Sequence, residues 1–248
     1  MINKGFQSRQ VLILLPILVI IASAVYTFRL TANSHFYKGG ELPAIQGFVL
    51  KEAQQLTNIQ LTDHRGMPVN RDYFLGKWRF ISYGYTQCPD ICPTTLLTLT
   101  QFADLLSESH ENLETQFVFY TVDPYRDSQK ILAQYIHYFS ENFVAVRANN
   151  SADARSFQHS LGIKVKITRG DISEANESVI KSKHSQTVPK NDLFYQVSHG
   201  LAIFLINPDA ELQAVFLPEI TELGIKGFTP NMLYRDYVKV LNYYKQSS

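Results

Sequence analysis

Residues 78–96 read WRFISYGYTQCPDICPTTL and combine a β-rich run, a cysteine pair and the start of a helix. Trp78–Tyr83 is rich in aromatic and β-branched residues, which favours a strand. Between Thr94 and Ser109 apolar residues recur at helical spacing. The cysteine motif therefore joins a predicted strand to the helix that follows it. In α/β sheets, reactive residues lie at this position, the carboxyl end of a strand.

The rest of the chain continues the alternation of strands and helices, and Asn58–Thr62 precedes it as a short strand. Further predicted strands are Gln116–Val122, Phe143–Arg147 and a hairpin of Leu201–Asn207 with Gln213–Leu217; predicted helices are Asp127–Phe139, Ala152–Leu161 and Asn231–Tyr244. Asp127 or Ser128 is the predicted cap of the first of these helices, and Arg126 and Asp127 are expected to pair or to cap it. Such a pattern predicts an α/β sheet with helices on both faces. Residues 164–192 interrupt it with polar and charged residues, and we expect a long surface insertion there.

The N-terminal region contains an uncharged apolar segment, VLILLPILVIIASAVYTF at residues 11–28, just long enough to cross a bilayer. Ala22-Ser23-Ala24 also matches the small-residue cleavage site of a signal peptide, so cleavage is the alternative. We favour an uncleaved membrane anchor because the apolar run continues past this tripeptide. The predicted organisation is then a short N-terminal segment at 1–10, the anchor at 11–28, a tether at 29–47 and a globular domain at 48–248.

Composition and charge exclude some classes of function. The formal net charge is +1, without a dense block of lysine or arginine, so a nucleic-acid partner is not expected. The charges on the two sides of the apolar segment are nearly balanced, and the positive-inside rule does not orient it. The chain has only 3 methionines, too few for a copper site built from thioethers.

The two cysteines, Cys88 and Cys92, are separated by three residues, so both sulfurs face the same way in a helical turn. Pro93 suits a first helical position, where the helix dipole favours thiolate over thiol. Two adjacent thiolates repel unless they share a proton, form a disulfide or bind a cation, and all three outcomes are open. Structural zinc is disfavoured because it needs four protein ligands. Thiolates select Cu(I), and an added imidazole would also suit Cu(II).

One of the 7 histidines has a position that suggests an imidazole ligand. The histidines are His35, His64, His110, His137, His159, His184 and His199. His199 lies in VSHG, directly before the LAIFLIN strand. In a thioredoxin-type fold the loop before this hairpin lies against the redox helix, so we expect His199 near the sulfurs.

Three motifs taken together resemble the Sco/SenC family of thioredoxin-like, membrane-tethered copper proteins. They are FISYGYTQCPDICPTTLLTL, TVDPYRDS and YQVSHGLAIFLINPDAEL. The likeness runs from about Gln60 to the C-terminal helix. It implies a thioredoxin-like fold, a central mixed sheet flanked by helices, with copper bound as Cu(I) or Cu(II) by Cys88, Cys92 and His199. It also implies that Asp123 of the VDP segment supports the site.

The resemblance further implies a function in delivering copper to, or preparing, the dinuclear copper site of cytochrome c oxidase. Expected partners are the copper-site subunit of the oxidase, other copper chaperones or thiol reductants, and the membrane. The implied location is the cell inner membrane, single-pass, with the C-terminal domain in the periplasm. The resemblance thus favours a metallochaperone over an enzyme; the enzyme that the chain could be is a thiol–disulfide reductase.

The alternatives use the cysteines differently. In a thiol–disulfide oxidoreductase, Cys88 would attack a partner disulfide and Cys92 would resolve it, leaving a Cys88–Cys92 disulfide. A thiol peroxidase is least favoured, because Cys92-Pro93 has no role in it.

Two departures from the family pattern concern the ligand set. The chain has VSHG where the family reads VDHS, which removes a carboxylate beside His199, and His184 lies in the long insertion as a rival ligand.

Overall fold

A computed structural model describes residue 23 and residues 41–109, 114–169, 195–220, 224 and 226–247. Residues Leu42–Asn242 form one compact unit. Apart from Ser23, the predicted anchor at 11–28 lies outside the described residues, as do the segment 1–10 and most of the tether. Within the described parts of the chain, no helix combines the length and the apolar character needed to cross a membrane. The anchor therefore stays a prediction.

The described chain contains twelve strands and four α-helices. The strands are β1 Gly47–Gln55, β2 Leu61–Asp63, β3 Pro68–Val69, β4 Trp78–Gly84, β5 Thr115–Thr121, β6 Val144–Ala148, β7 Val165–Arg169, β8 Tyr195–His199, β9 Ile203–Ile206, β10 Glu211–Phe216, β11 Glu219–Ile220 and β12 Lys226–Gly227. The helices are α1 Ile91–Glu108, α2 Gln129–Phe139, α3 Ser151–Leu161 and α4 Pro230–Ser247, and a short 3₁₀ helix spans Asp72–Phe74.

Eight of these strands form a central sheet in the order β1-β10-β9-β4-β5-β6-β2-β3. The pairs β4–β5 and β5–β6 are parallel, and the remaining pairs are antiparallel. The predicted mixed α/β sheet is therefore confirmed. Two small antiparallel pairs, β7 with β8 and β11 with β12, lie outside the main sheet.

The core packs on both faces of β4, whose seven residues are all buried. On one face Phe80 contacts Phe102 of α1, at a ring-centroid distance of 5.0 Å, and Tyr237 of α4, also at 5.0 Å. On the other face Tyr120 packs against Phe157 of α3 at 4.9 Å. Aromatic packing on both faces explains why helices cover the sheet from both sides, as the sequence predicted.

Local signals set the ends of two helices. Ser128 caps α2 by accepting a hydrogen bond from the Ile131 N–H, so of the two predicted caps, Asp127 and Ser128, the structure uses Ser128. Asn150 caps α3, and the helix ends at Gly162, whose φ of 69° is readily adopted by glycine.

Six strands are absent from the predicted pattern: β1, β3, β7, β8, β11 and β12. β1 was not predicted, because an edge strand with a single buried residue, Val49, shows no apolar alternation. Val165–Arg169, the beginning of the predicted insertion, forms β7 and pairs with β8. The rest of the insertion up to residue 192, including His184, lies outside the described residues.

The carboxylate of Asp236 ties the start of the compact unit to α4. It accepts a hydrogen bond from the Gln46 N–H at 2.7 Å, and Arg235 and Lys239 also donate to it. Burial acts to raise the pKa of Asp236, but the hydrogen bonds outweigh burial and the net pKa is lowered. A lowered folded-state pKa stabilises the fold above the unfolded-state value, and this stabilisation is lost as pH falls through the folded-state pKa.

We expect Asp236→Asn to lower the free energy of unfolding by about 1.5–3 kcal/mol near pH 7, because hydrogen bonds to a charged group are weakened. The gap between parent and variant should shrink below about pH 4, where the parent carboxylate also takes up its proton. Urea denaturation at neutral and acidic pH measures both effects. Asp104→Asn, at an exposed position of α1, is the matched control. A gap that is independent of pH would contradict the assignment.

Candidate metal centre

The cysteine motif lies at the carboxyl end of β4, in the loop to α1 and the first turn of that helix. Cys88 is half-buried in the loop, and its N–H donates to the Tyr85 carbonyl at 3.1 Å. Cys92 is the second residue of α1 and only 3% exposed. Pro93 was predicted at the first helical position but is the third. It is tolerated there because the first four helical N–H groups have no partner within the helix.

The sulfur of Cys92 sits directly over the last residue of β4. A Cβ atom added to Gly84 would lie 2.4 Å from Cys92 Sγ and 3.4 Å from a ring carbon of Phe119. No side chain other than hydrogen fits at residue 84 without displacing this sulfur. Gly84 was missed in the sequence analysis, although a glycine at the strand end directly before the motif was visible.

The structure brings His199 to the cysteines across 107 positions of sequence. Its Nε2 lies 3.9 Å from Cys92 Sγ. Its Nδ1 lies 2.7 Å from the carbonyl oxygen of Gly200. A carbonyl oxygen only accepts, so we assign the proton to Nδ1, and Nε2 of the neutral imidazole then accepts the hydrogen bond from the Cys92 thiol. The carbonyl thus takes the orienting role that the sequence analysis found unfilled when the family's carboxylate is absent.

The spacing of these two atoms suits two ligands of one metal ion. With metal–sulfur and metal–nitrogen bonds of about 2.3 and 2.05 Å, a ligand angle of about 110–130° separates the ligand atoms by roughly 3.6–3.9 Å. Cys88 lies four positions before Cys92, whose pKa is raised by burial and by Cys88. In the described part of the chain, however, no group of three or more histidine, cysteine, aspartate or glutamate side chains is close enough to hold a metal ion. Binding through all three residues therefore requires a change in their arrangement.

The ionisation of Cys92 differs from the expectation for a helix N-terminus. Burial raises the pKa of the Cys92 thiol, and the hydrogen bond with Cys88 raises it further. Desolvation therefore outweighs the helix dipole, and the thiol form is favoured at Cys92. Both cysteines are free thiols in this structure. The Cys88–Cys92 disulfide stays a prediction for the oxidised protein.

Two tyrosine rings flank the imidazole. The ring centroids of Tyr83 and Tyr85 lie 5.2 and 6.0 Å from that of His199. Burial raises the pKa of Tyr83 to about 12, so its hydroxyl stays protonated at neutral pH. The structure thus places both tyrosine rings against the imidazole of His199.

Asp123 is buried and is linked to Tyr85 through Arg126. Its carboxylate forms an ion pair with Arg126, whose guanidinium lies 5.5 Å from the centroid of the Tyr85 ring. The contacts therefore run from Asp123 through Arg126 and Tyr85 to His199. They supply a physical route for the predicted supporting role of Asp123, which itself stays a prediction.

The other described histidines have different surroundings. His64 accepts a hydrogen bond from the Ala145 N–H at 3.2 Å, His137 pairs with Glu141 at 3.4 Å, and His159 is exposed near the end of α3. His35, His110 and His184 lie outside the described residues. Among the histidines that the structure describes, His199 is the one in contact with a cysteine.

Comparison with known proteins gives the same family that the motifs suggested. The SCO1/SenC family model matches residues 50–224 of this chain. A protein of Stutzerimonas stutzeri, provisionally named as copper-binding, is 26% identical over 189 residues, which are 75% of this chain and 80% of the relative. The mitochondrial SCO2 homolog of Mus musculus is 31% identical over 152 residues, 61% of this chain and 52% of that protein, so this chain spans about half the length of the mouse relative.

Solved structures share the fold. The crystal structure of Arabidopsis thaliana ScoI with copper bound has a TM-score of 0.58 at 22% identity, covering 75% of this chain and 97% of that one. At this identity the similarity shows a common fold, and the predicted fold of a mixed sheet flanked by helices is confirmed by it.

Proposed function

The chain belongs to the SCO1/SenC family, and on that premise we propose that it binds copper and acts as an assembly factor for cytochrome c oxidase. It delivers copper to, or prepares, the dinuclear copper site of the oxidase. The observation that carries the proposal is the 3.9 Å approach of His199 Nε2 to Cys92 Sγ, four residues after Cys88.

The proposed ligands are the thiolates of Cys88 and Cys92 and the Nε2 atom of His199. Thiolates are soft ligands that select Cu(I), and one imidazole extends the set to Cu(II). Two relatives support copper as the ion: the Stutzerimonas stutzeri protein is provisionally named for copper binding, and the Arabidopsis structure contains copper. Binding releases the thiol protons, so the affinity rises with pH.

Copper in this proposal is cargo, and the site has features suited to its transfer. Cys88 and His199 are partly exposed, whereas Cys92 is 3% exposed. A partner's ligands can therefore replace Cys88 and His199 first, while Cys92 retains the ion. A low-coordinate site at a loop and helix tip permits such exchange without unfolding.

The partners and location are proposed together with this function. The uncharged segment at 11–28 supports a single-pass anchor. The proposed location in the inner membrane, with the domain in the periplasm, rests on the family. There it meets the copper-site subunit of the oxidase, and other copper chaperones or thiol reductants.

Anaerobic titration of the full-length protein with Cu(I) and with Cu(II) tests the proposal. We expect about one copper ion per chain, and loss of most of the affinity in Cys88→Ser and in Cys92→Ser, because a hydroxyl is a poor ligand for Cu(I). Ser107→Ala, at an exposed position of α1, is the control and should bind copper as the parent does. Unchanged binding in both serine variants would remove the proposal.

A thiol–disulfide oxidoreductase is the second candidate, favoured by the asymmetry of the cysteines. Cys88 is partly exposed, while the pKa of the buried Cys92 is raised. This suits Cys88 as the attacking thiol and Cys92 as the resolving one. Reduction of a disulfide substrate at a rate independent of His199, with no copper bound by the parent, would favour this candidate.

A further inference from the structure

The loop that carries Cys88 is hydrogen-bonded to the carboxylate of Asp127, which is not one of the proposed copper ligands. Asp127 is 0% exposed. It accepts hydrogen bonds from the Thr86 N–H at 3.0 Å, the Thr86 hydroxyl at 2.6 Å and the Thr121 hydroxyl at 2.6 Å. The sequence predicted Asp127 as a helix cap or as a partner of Arg126, and the structure gives it neither role.

These hydrogen bonds connect Asp127 to the chain segments that carry or contact the two cysteines. Thr86 lies midway between Gly84 and Cys88. Thr121 is the register partner of Gly84, over which the Cys92 sulfur sits. Asp127 therefore joins the loop of Cys88 to the strand end below Cys92.

The charge of Asp127 has no cationic partner among the ion pairs of the described residues. Its neighbour Arg126 pairs with Asp123 instead. A neutral amide could form nearly the same hydrogen bonds to two threonines, so the loop does not require a charge. Burying an ion on neutral donors is unfavourable, and burial accordingly raises the pKa of Asp127.

The charge lies close to the cysteine motif. The Asp127 carboxylate accepts two hydrogen bonds from Thr86, two residues before Cys88, and one from Thr121, the register partner of Gly84. The Cys92 sulfur sits over Gly84, so a charge on Asp127 acts at the place where the proposed ion binds. With two thiolates and one neutral imidazole, a Cu(I) site carries a net charge of −1 and a Cu(II) site is neutral. A nearby buried anion therefore disfavours the negatively charged Cu(I) site relative to the neutral Cu(II) site.

We propose that Asp127 is a positioning residue and counter-charge of the copper site, and that its carboxylate shifts the preference of the site from Cu(I) towards Cu(II). This inference rests on the proposed copper binding. It differs from a purely structural role, in which loss of Asp127 would weaken both ions equally.

The test compares Cu(I) and Cu(II) affinities of the full-length parent and Asp127→Asn, which keeps the shape and removes the charge. We expect the ratio of Cu(II) to Cu(I) affinity to fall about tenfold in the variant, from one unit charge acting through the protein interior. For a one-electron couple this equals a rise of about 59 mV in the reduction potential of the bound copper, which voltammetry measures independently.

Asp104→Asn is the matched control, because it removes a charge at an exposed position of α1; its ratio should stay at the parent value. Asp127→Ser, also neutral, is the second variant, and thermal unfolding reports whether each variant is folded. Equal weakening of both ions in Asp127→Asn, or failure of both neutral variants to fold, would overturn the inference and leave Asp127 structural. A parent that binds neither ion overturns the proposed function as well, so the two failures are distinguishable.

Discussion

Gly84→Ala should weaken copper binding strongly while leaving both cysteines and His199 in the sequence. The added Cβ would lie 2.4 Å from Cys92 Sγ, well inside van der Waals contact. The backbone of Gly84 is not left-handed, so the collision, and not backbone strain, is the cause. We expect a loss of about 1–3 kcal/mol in the free energy of unfolding from overpacking. Displacement of a ligand should lower copper affinity on the order of 100-fold.

A double-mutant cycle isolates the contact with the sulfur. Cys92→Ala removes Sγ, so in that background Gly84→Ala should cost little stability, because the remaining contacts, at 3.3 and 3.4 Å, need only small shifts. Urea denaturation of the four proteins measures the coupling. If Gly84→Ala destabilises both backgrounds equally, the sulfur is not the group that the added methyl displaces, and the collision with Cys92 is not the cause of the loss.

His199→Ala should lower Cu(II) affinity by at least about 100-fold, since loss of groups that merely orient a ligand already costs 10–100-fold. The reason is the Nε2 lone pair, which accepts from the Cys92 thiol at 3.9 Å and becomes available to a metal ion when that thiol loses its proton. The Cu(I) affinity should fall less, because two thiolates alone can hold Cu(I). Anaerobic titrations with each ion measure the two losses separately.

His159→Ala is the matched control, an exposed histidine of α3, and should bind both ions as the parent does. The free energy of unfolding should change little in either variant, because His199 is only partly buried. Equal Cu(II) affinity in parent and His199→Ala would exclude the imidazole from the ligand set. Thiol–disulfide exchange that survives the same change would support the alternative function.

The local pattern of the chain was sufficient for most of the fold. β4, α1 and the hairpin of β9 with β10 were predicted because their apolar residues follow the strand or helix period. β1 was missed because it buries Val49 alone. α1 begins at Ile91, earlier than the apolar spacing from Thr94 predicted, because Ile91 and Cys92 form its first turn ahead of Pro93.

For the site, sequence reasoning identified the residue types and the structure supplied their environment. The cysteines followed from their number and spacing, and the position of His199 from the order of elements. The favoured thiolate at Cys92 was wrong, since the motif does not reveal that this side chain is 3% exposed. The role of Asp127 was also wrong, since its partners Thr86 and Thr121 lie on two different elements.

By itself, then, the order of residues determined the alternation of elements, the cysteine pair and the family, because period, spacing and motif are properties of short stretches of chain. Only the tertiary structure decided that residue 84 has no room for a side chain and that the Gly200 carbonyl orients His199. It also decided that the buried carboxylate of Asp127 accepts hydrogen bonds from Thr86 and Thr121. Desolvation and close contact depend on groups that meet in space from distant parts of the chain, and no local pattern encodes them.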